Sequence, residues 1–171
     1  MVDDDALARA AAAGDAKAFT RLVEKYEKSV RNLLDRLCGG AGGDDLAQEA
    51  FIRAWRSAAS YRGDGTYRAW LFRIAWRVFL TSRSGRAKSE EYDPQIHGGS
   101  FVPAPGLAMD LQRALARLAP RERAAAILCF GEGCSHQEAA IALEMPLGTL
   151  KSIVARARNE LVAYLEAEED D

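Results

Sequence analysis

Thr149, Lys151, Ser152, Arg156 and Arg158 form the set of residues in this chain best suited to meet an anionic polymer. Lysine and arginine neutralise phosphates, while arginine and hydroxyl side chains also donate to base edges. Their setting predicts how they are held. Ser135 with Glu138 three residues on is a capping box, so a helix starts there. Ala139, Ala140 and Ala142 keep that helix thin enough for close crossing by another. Met145-Pro146 breaks it, since proline cannot continue a helix and biases its predecessor toward extended backbone. Gly148-Thr149 then opens a second helix. A short helix, a tight turn and a polar-basic second helix make a helix-turn-helix, which lays side chains into the DNA major groove. A helical hairpin with a solvated basic face is the bland alternative.

A second set interleaves cations with an aromatic ring. The periodicity predicts a helix from about Thr66 to Ser82, with Leu71, Ile74, Ala75 and Val78 as its core stripe. Arg73, Trp76, Arg77 and Leu80 gather on the other side. Arginine on phosphate with a ring on an unpaired base is how single strands are bound. The competing reading packs Trp76 against the preceding helix and leaves the arginines solvated. A third candidate is the start of a helix over Asp44–Ala59, where Asp45, Gln48 and Glu49 stand beside Leu46 and Phe51. Acids at a helix start are favoured by the dipole alone, yet the same edge could dock a partner helix.

Helices must position all three sets, because no stretch alternates as a strand does. Phe19, Leu22, Val23, Tyr26, Val30, Leu33, Leu34 and Leu37 trace a long amphipathic helix, capped by Asp15 and ended at Gly39-Gly40. A shorter one precedes it, from Asp4 to Ala13. Ser84 to Gly106 loses periodicity and holds Pro94, Pro103 and Pro105, which predicts a flexible linker. Beyond it, Leu111, Leu115 and Leu118 mark one helix, and Pro120 the first turn of another. The expected fold is all-α: two small helical domains, residues 1–84 and 107–171, joined by a linker over 85–106.

With 171 residues and 49% hydrophobic content the chain is a folded protein. Its net charge of −2 hides a polarised layout, with nine Lys or Arg and one acid, Asp64, from Ala50 to Lys88. Acids collect at Asp3-Asp4-Asp5 and in the tail from Glu166, an arrangement suited to local contact with DNA. No secretory signal or membrane span is apparent, which predicts a cytoplasmic protein without membrane insertion. Cys38, Cys129 and Cys134 have irregular spacing, as in a reduced compartment. With His136 the last two match no standard zinc site, and His97 falls in a loop. No metal, cofactor or catalytic residue set is expected.

Three segments in register resemble bacterial sigma factors of the extracytoplasmic-function group. Asp44-Asp45-Leu46-Ala47-Gln48-Glu49-Ala50-Phe51-Ile52-Arg53-Ala54-Trp55 is similar to the family's DAEDLVQEVFLRAW-type signature. Tyr61 to Ala75 is similar to FRGDSSFRTWLYRIA. Leu118 to Arg123 and Gly148 to Ser152 resemble LPxRER and GTVKS. The resemblance implies that Asp45, Leu46, Gln48, Glu49 and Phe51 grip the β′ clamp helices of core RNA polymerase. It implies that Arg62 and Arg68, with Arg73, Trp76 and Arg77, melt and read the −10 element of promoter DNA. Thr149, Lys151, Ser152, Arg156 and Arg158 would read the −35 element, with the β flap and an anti-sigma factor as further partners. The function so implied is promoter-specific transcription initiation in a stress or envelope response. A sigma-like decoy that titrates an anti-sigma factor and a classical helix-turn-helix regulator are the rivals.

Departures from the family pattern are as informative. Trp76 and Arg77 stand where a small residue and asparagine are usual. Ile153 replaces an arginine, which would remove a DNA contact. Glu144 occupies a usual glycine at a position that favours left-handed backbone.

Overall fold

The computed structural model describes residues 3–88 and 107–169, all of whose regular elements are helical. In chain order they are α1 (Asp4–Ala12), α2 (Ala16–Leu37), α3 (Gly43–Arg56), α4 (Tyr67–Lys88), α5 (Leu107–Arg117), α6 (Pro120–Ala126), α7 (His136–Ala142) and α8 (Leu147–Glu169). A 3-10 turn over Ala58–Ser60 precedes α4, and a π-helical turn over Ile127–Gly131 extends α6. The expected loop at His97 and most of the expected linker lie outside the described residues.

Local signals set the helix starts. Asp15 accepts from the amides of Lys17 and Ala18 at 2.9 and 3.2 Å and caps α2. Ser135 Oγ accepts from the Glu138 amide at 3.1 Å while Glu138 Oε2 accepts from the Ser135 amide at 2.9 Å, closing the capping box of α7. Thr66 caps α4 through its hydroxyl, which accepts from the Ala69 amide at 3.2 Å. Helix α4 runs to Lys88 rather than ending near Ser82, so the first block extends four residues past position 84. The serines and glycine over 82–85 weaken helix propensity but contain no proline to stop it.

In the first block α2 packs against α1, α3 and α4, burying Leu22, Tyr26, Val30, Leu33, Leu34 and Leu37. Tyr26, Tyr61, Tyr67 and Trp70 form an aromatic cluster with ring centroids 5.4–5.9 Å apart. Asp4 accepts the Tyr26 hydroxyl and Asp5 accepts that of Tyr61. Asp4 therefore ties α1 to α2, and Asp5 ties it to the loop leading into α4, structural duties that the charge pattern did not reveal. In the second block α5, α6 and α7 all pack on α8.

The two blocks are not independent bodies. Helix α7 lies along α4, and α6 touches α2. Arg123 ties both together. Its guanidinium donates to the carbonyls of Leu115, Ala116 and Leu118 at 2.8–3.1 Å and to Leu37, at the end of α2, at 3.0 Å. Four helix-end carbonyls that water would otherwise solvate are satisfied by one side chain.

Candidate polymerase and nucleic-acid interfaces

The polar edge of α3 faces outward. Asp45 and Gln48 are exposed, while Leu46, Glu49 and Phe51 are half-buried. A shallow groove between α2 and α3 is lined by Val23, Glu27, Arg31, Asp45, Gln48 and Phe51. The α2 contributors carried no motif in the sequence, because only the crossing of two helices brings them beside α3. Arg31 bridges the groove's end to Asp44 at 2.8 Å. Glu49 pairs with Arg53 one turn on at 2.6 Å. Below it, Ile52 and Trp55 stay over one-third exposed, with Trp55 against Phe19 at a centroid distance of 5.0 Å.

On α4 the expected face is divided. Arg62 is exposed in the preceding loop. Trp76 is only 2% exposed and stacks on Phe79 with centroids 5.6 Å apart, so it is a core residue and not a platform open to bases. The burial of α4 explains why. Tyr67, Ala69, Trp70, Leu71, Phe72, Ala75, Trp76, Val78 and Phe79 are all buried and surround most of the helix. One four-helix block cannot cover that circumference, and α7 covers the remainder.

The arginines of this face meet carboxylates of the second block. Arg68 donates to Glu138 through Nη2 at 2.7 Å and Nε at 3.3 Å. It also donates to the carbonyls of Glu132 and Gly133 at 3.2 and 3.4 Å. Thr66 Oγ1 donates to the same carboxylate at 2.9 Å. Burial opposes the Glu138 charge, yet the bonds from Arg68, the Ser135 amide and Thr66 outweigh it and hold the carboxyl at about 2. Arg77 makes a bidentate pair with Glu144, its Nε leg at 2.9 Å, which lowers the carboxyl and raises the guanidinium. Arg73 lines a crevice together with Gln137, Ile141 and Glu144.

Helix α8 presents its polar side to solvent. Thr149, Lys151, Ser152, Arg156 and Arg158 are exposed, and Ala155 and Asn159 share that side. Leu150, Val154, Ala157 and Leu161 turn inward, and Ile153 goes with them at 9% exposure. The replacement of arginine by Ile153 is thus a packing choice and leaves the outward face intact. Arg156 is engaged already, its Nε 2.8 Å from Glu122 at the start of α6. Asn159 lacked a charge to mark it in the sequence; the helix phase supplied by the buried stripe places it between Lys151 and Ser152.

These segments coincide with known families. Residues 22–89 match the family described as Sigma-70 region 2, and residues 108–161 that described as Sigma-70, region 4. A Haemophilus influenzae protein named ECF RNA polymerase sigma-E factor is 33% identical across 92% of this chain and 93% of its own length. The ECF RNA polymerase sigma factor SigE of Mycolicibacterium smegmatis is 38% identical across 90% of this chain, which spans 65% of that relative. The sigma factor RpoE of Bartonella quintana, solved with the anti-sigma factor NepR, superposes with a TM-score of 0.75 at 28% identity, covering 88% of this chain and 98% of that one. CnrH, solved with the cytosolic domain of CnrY, gives 0.70 at 26%, covering 96% and 97%. With two sigma regions in order and the Haemophilus relative matched nearly end to end, the chain belongs to the sigma-70 family, as a sigma factor of the extracytoplasmic-function group.

Proposed function

We propose that this sigma factor joins core RNA polymerase through Asp45, Leu46, Gln48, Glu49 and Phe51 on the β′ clamp helices. Its α8 reads the −35 element with Thr149, Lys151, Ser152 and Arg158, flanked by Arg156. Arg62, Arg68, Arg73 and Arg77 engage the opened −10 strand, with Trp76 as buried support for α4. The second block meets the β flap. An anti-sigma factor regulates the chain in a stress response, a reading supported by the complex of RpoE with the anti-sigma factor NepR. The chain acts in the cytoplasm, and nucleotide addition belongs to the polymerase. Among the described residues no helix is long and apolar enough to cross a membrane.

The observation that carries this reading is the outward cationic side of α8, held on the segment that matches region 4. Run-off transcription with purified core enzyme tests it. Promoter-dependent transcripts should appear only when the chain is added, and replacing Lys151 and Arg158 by alanine should abolish them. A decoy gives no transcript, and an operator-binding regulator gives none without another sigma factor.

A further inference from the structure

We infer that Asp5 of α1 is a positioning residue for the loop that carries Arg62, fixing it through the hydroxyl of Tyr61, a role that rests on the reading of Arg62 as a contact to the opened −10 strand.

The loop has little of its own to hold it. Residues 62–66 are all exposed. Gly63 and Gly65 have φ +77° and +109°, and the Gly65 amide donates to the Gly63 carbonyl at 3.0 Å to close the tip. Glycine backbone loses more conformational freedom on ordering than any other, so such a loop keeps one shape where something outside it supplies the constraint. Tyr61 does so at the loop's entry. Its ring stands edge-on to Tyr67 and Trp70 at centroid distances of 5.5 and 5.6 Å. Its hydroxyl donates to Asp5, and the Gly65 carbonyl lies 3.4 Å from the same oxygen. One side chain thus joins both ends of the loop to α1.

Helix α1 is seated without its acids. Ala8 and Ala11 are buried, and the helix packs on α2 and on the 3-10 turn that precedes the loop. Asp4 and Asp5 then serve two different tyrosines. Asp4 accepts the Tyr26 hydroxyl and the Lys25 ammonium, the latter at 2.6 Å, while Asp5 accepts Tyr61. Tyr67 is buried between the two rings, 5.9 Å from Tyr26 and 5.5 Å from Tyr61. Arg62 and Arg68 each follow a ring of this cluster by one residue. Helix α1 ends at Ala12, before the region 2 match begins at Leu22. The family signature carries phenylalanine where Tyr61 stands, which would keep the ring contacts and lack the hydroxyl. That hydroxyl is an addition of this chain, and Asp5 is what it reaches. The bond favours one loop shape, and strand affinity scales with the fraction of loops in that shape.

The test titrates reconstituted holoenzyme with a fluorescein-labelled fork-junction promoter fragment whose −10 strand is unpaired. Asp5→Ala and Tyr61→Phe should each weaken binding about two- to tenfold, the range that one net hydrogen bond spans. The double variant should be no weaker than either single one. Asp5→Asn keeps an acceptor oxygen and loses the charge, and should bind no more weakly than wild type. Binding to a −35 duplex, assembly with core and melting temperature should hold for all four. The sign of the effect separates positioning from charge. An acid beside a phosphate-binding loop repels the strand, so a bare charge effect makes Asp5→Ala bind more tightly, which overturns the proposal. Hydrogen–deuterium exchange of the free chain reads the loop directly. Exchange over residues 61–66 should rise in Asp5→Ala and Tyr61→Phe but not in Asp5→Asn, and unchanged exchange overturns the proposal whatever the affinities. Arg62→Ala tests the underlying reading. If it weakens binding while Asp5→Ala does not, the positioning role fails and the −10 assignment stands. If Arg62→Ala binds as wild type does, the −10 assignment fails, and raised exchange still supports Asp5 as the residue that fixes the loop.

Discussion

Arg156 of α8 donates through Nε to Glu122 Oε1 at 2.8 Å, across 34 residues of sequence. Glu122 also accepts the Ala119 amide through its other oxygen at 3.3 Å, so one carboxylate caps α6 and restrains a cation on the face proposed to read DNA. Arg156 is therefore less free to neutralise phosphate than its neighbours. Each lost phosphate contact lowers the salt slope of binding by about one unit. Lys151→Ala and Arg158→Ala should each show that loss on a −35 duplex, and Arg156→Ala a smaller one. Fluorescence anisotropy across a salt series measures all three.

Ile153 packs inward beside Leu150 and Val154. Ile153→Ala should destabilise the chain by about 2 kcal/mol through lost burial and a residual cavity. Ile153→Arg should destabilise it further and leave −35 affinity no higher. Urea denaturation with a parallel duplex titration checks both. A gain in affinity at unchanged stability would show that the side chain reaches the groove.

For Trp76, truncation to alanine should cost about 3–5 kcal/mol, as for other buried large aromatics. Its melting temperature should fall before any promoter defect can be read. Trp76→Phe keeps most of the volume and should open promoters normally by permanganate reactivity of unpaired thymines. A phenylalanine variant that is stable yet fails to open DNA would return Trp76 to the role of a stacking platform.

On α3, Gln48→Ala with Glu49→Ala should weaken assembly with core polymerase and barely move the melting temperature. Gln48 is exposed, and the Glu49–Arg53 pair is roughly 40% exposed on both sides. Such helical pairs contribute only about 0.3–0.5 kcal/mol. Analytical ultracentrifugation with core enzyme reads the assembly, and unchanged assembly would remove this edge from the interface.

Acid should loosen the seam between the blocks. Glu138 is depressed from the ordinary 4.5 to about 2 in the folded chain. A depressed carboxyl stabilises the state that depresses it above its free value and ceases to do so as pH falls through the folded one. The contribution of Glu138 is thus complete above about pH 4.5 and lost toward pH 2. Glu138→Gln should flatten this part of the stability profile in acid titrations followed by circular dichroism, while other carboxylates keep theirs.

What the sequence determined by itself was set by neighbours within one or two helical turns. The Asp15 cap, the Ser135–Glu138 box and the left-handed backbone at Glu144 all depend on bonds and sterics a few residues long. The long stripe of α2 likewise needs only helical periodicity to be read. The three candidate surfaces were located by motifs, and the outward side of α8 followed from its charges. Tertiary structure decided which sides of α4 and α8 are covered. Trp76 looked external because a helical wheel shows one apolar stripe and cannot count how many partners a helix has. Ile153 lies at the edge of the α8 stripe, where only the packing of the other helices on α8 settles burial. Glu138 shows the limit most plainly. As a capping residue it was legible from a spacing of three, but its bond to Arg68 joins residues 70 apart. Local rules fix the backbone around each side chain, whereas a long-range pair exists only once the packing of two blocks has set their separation.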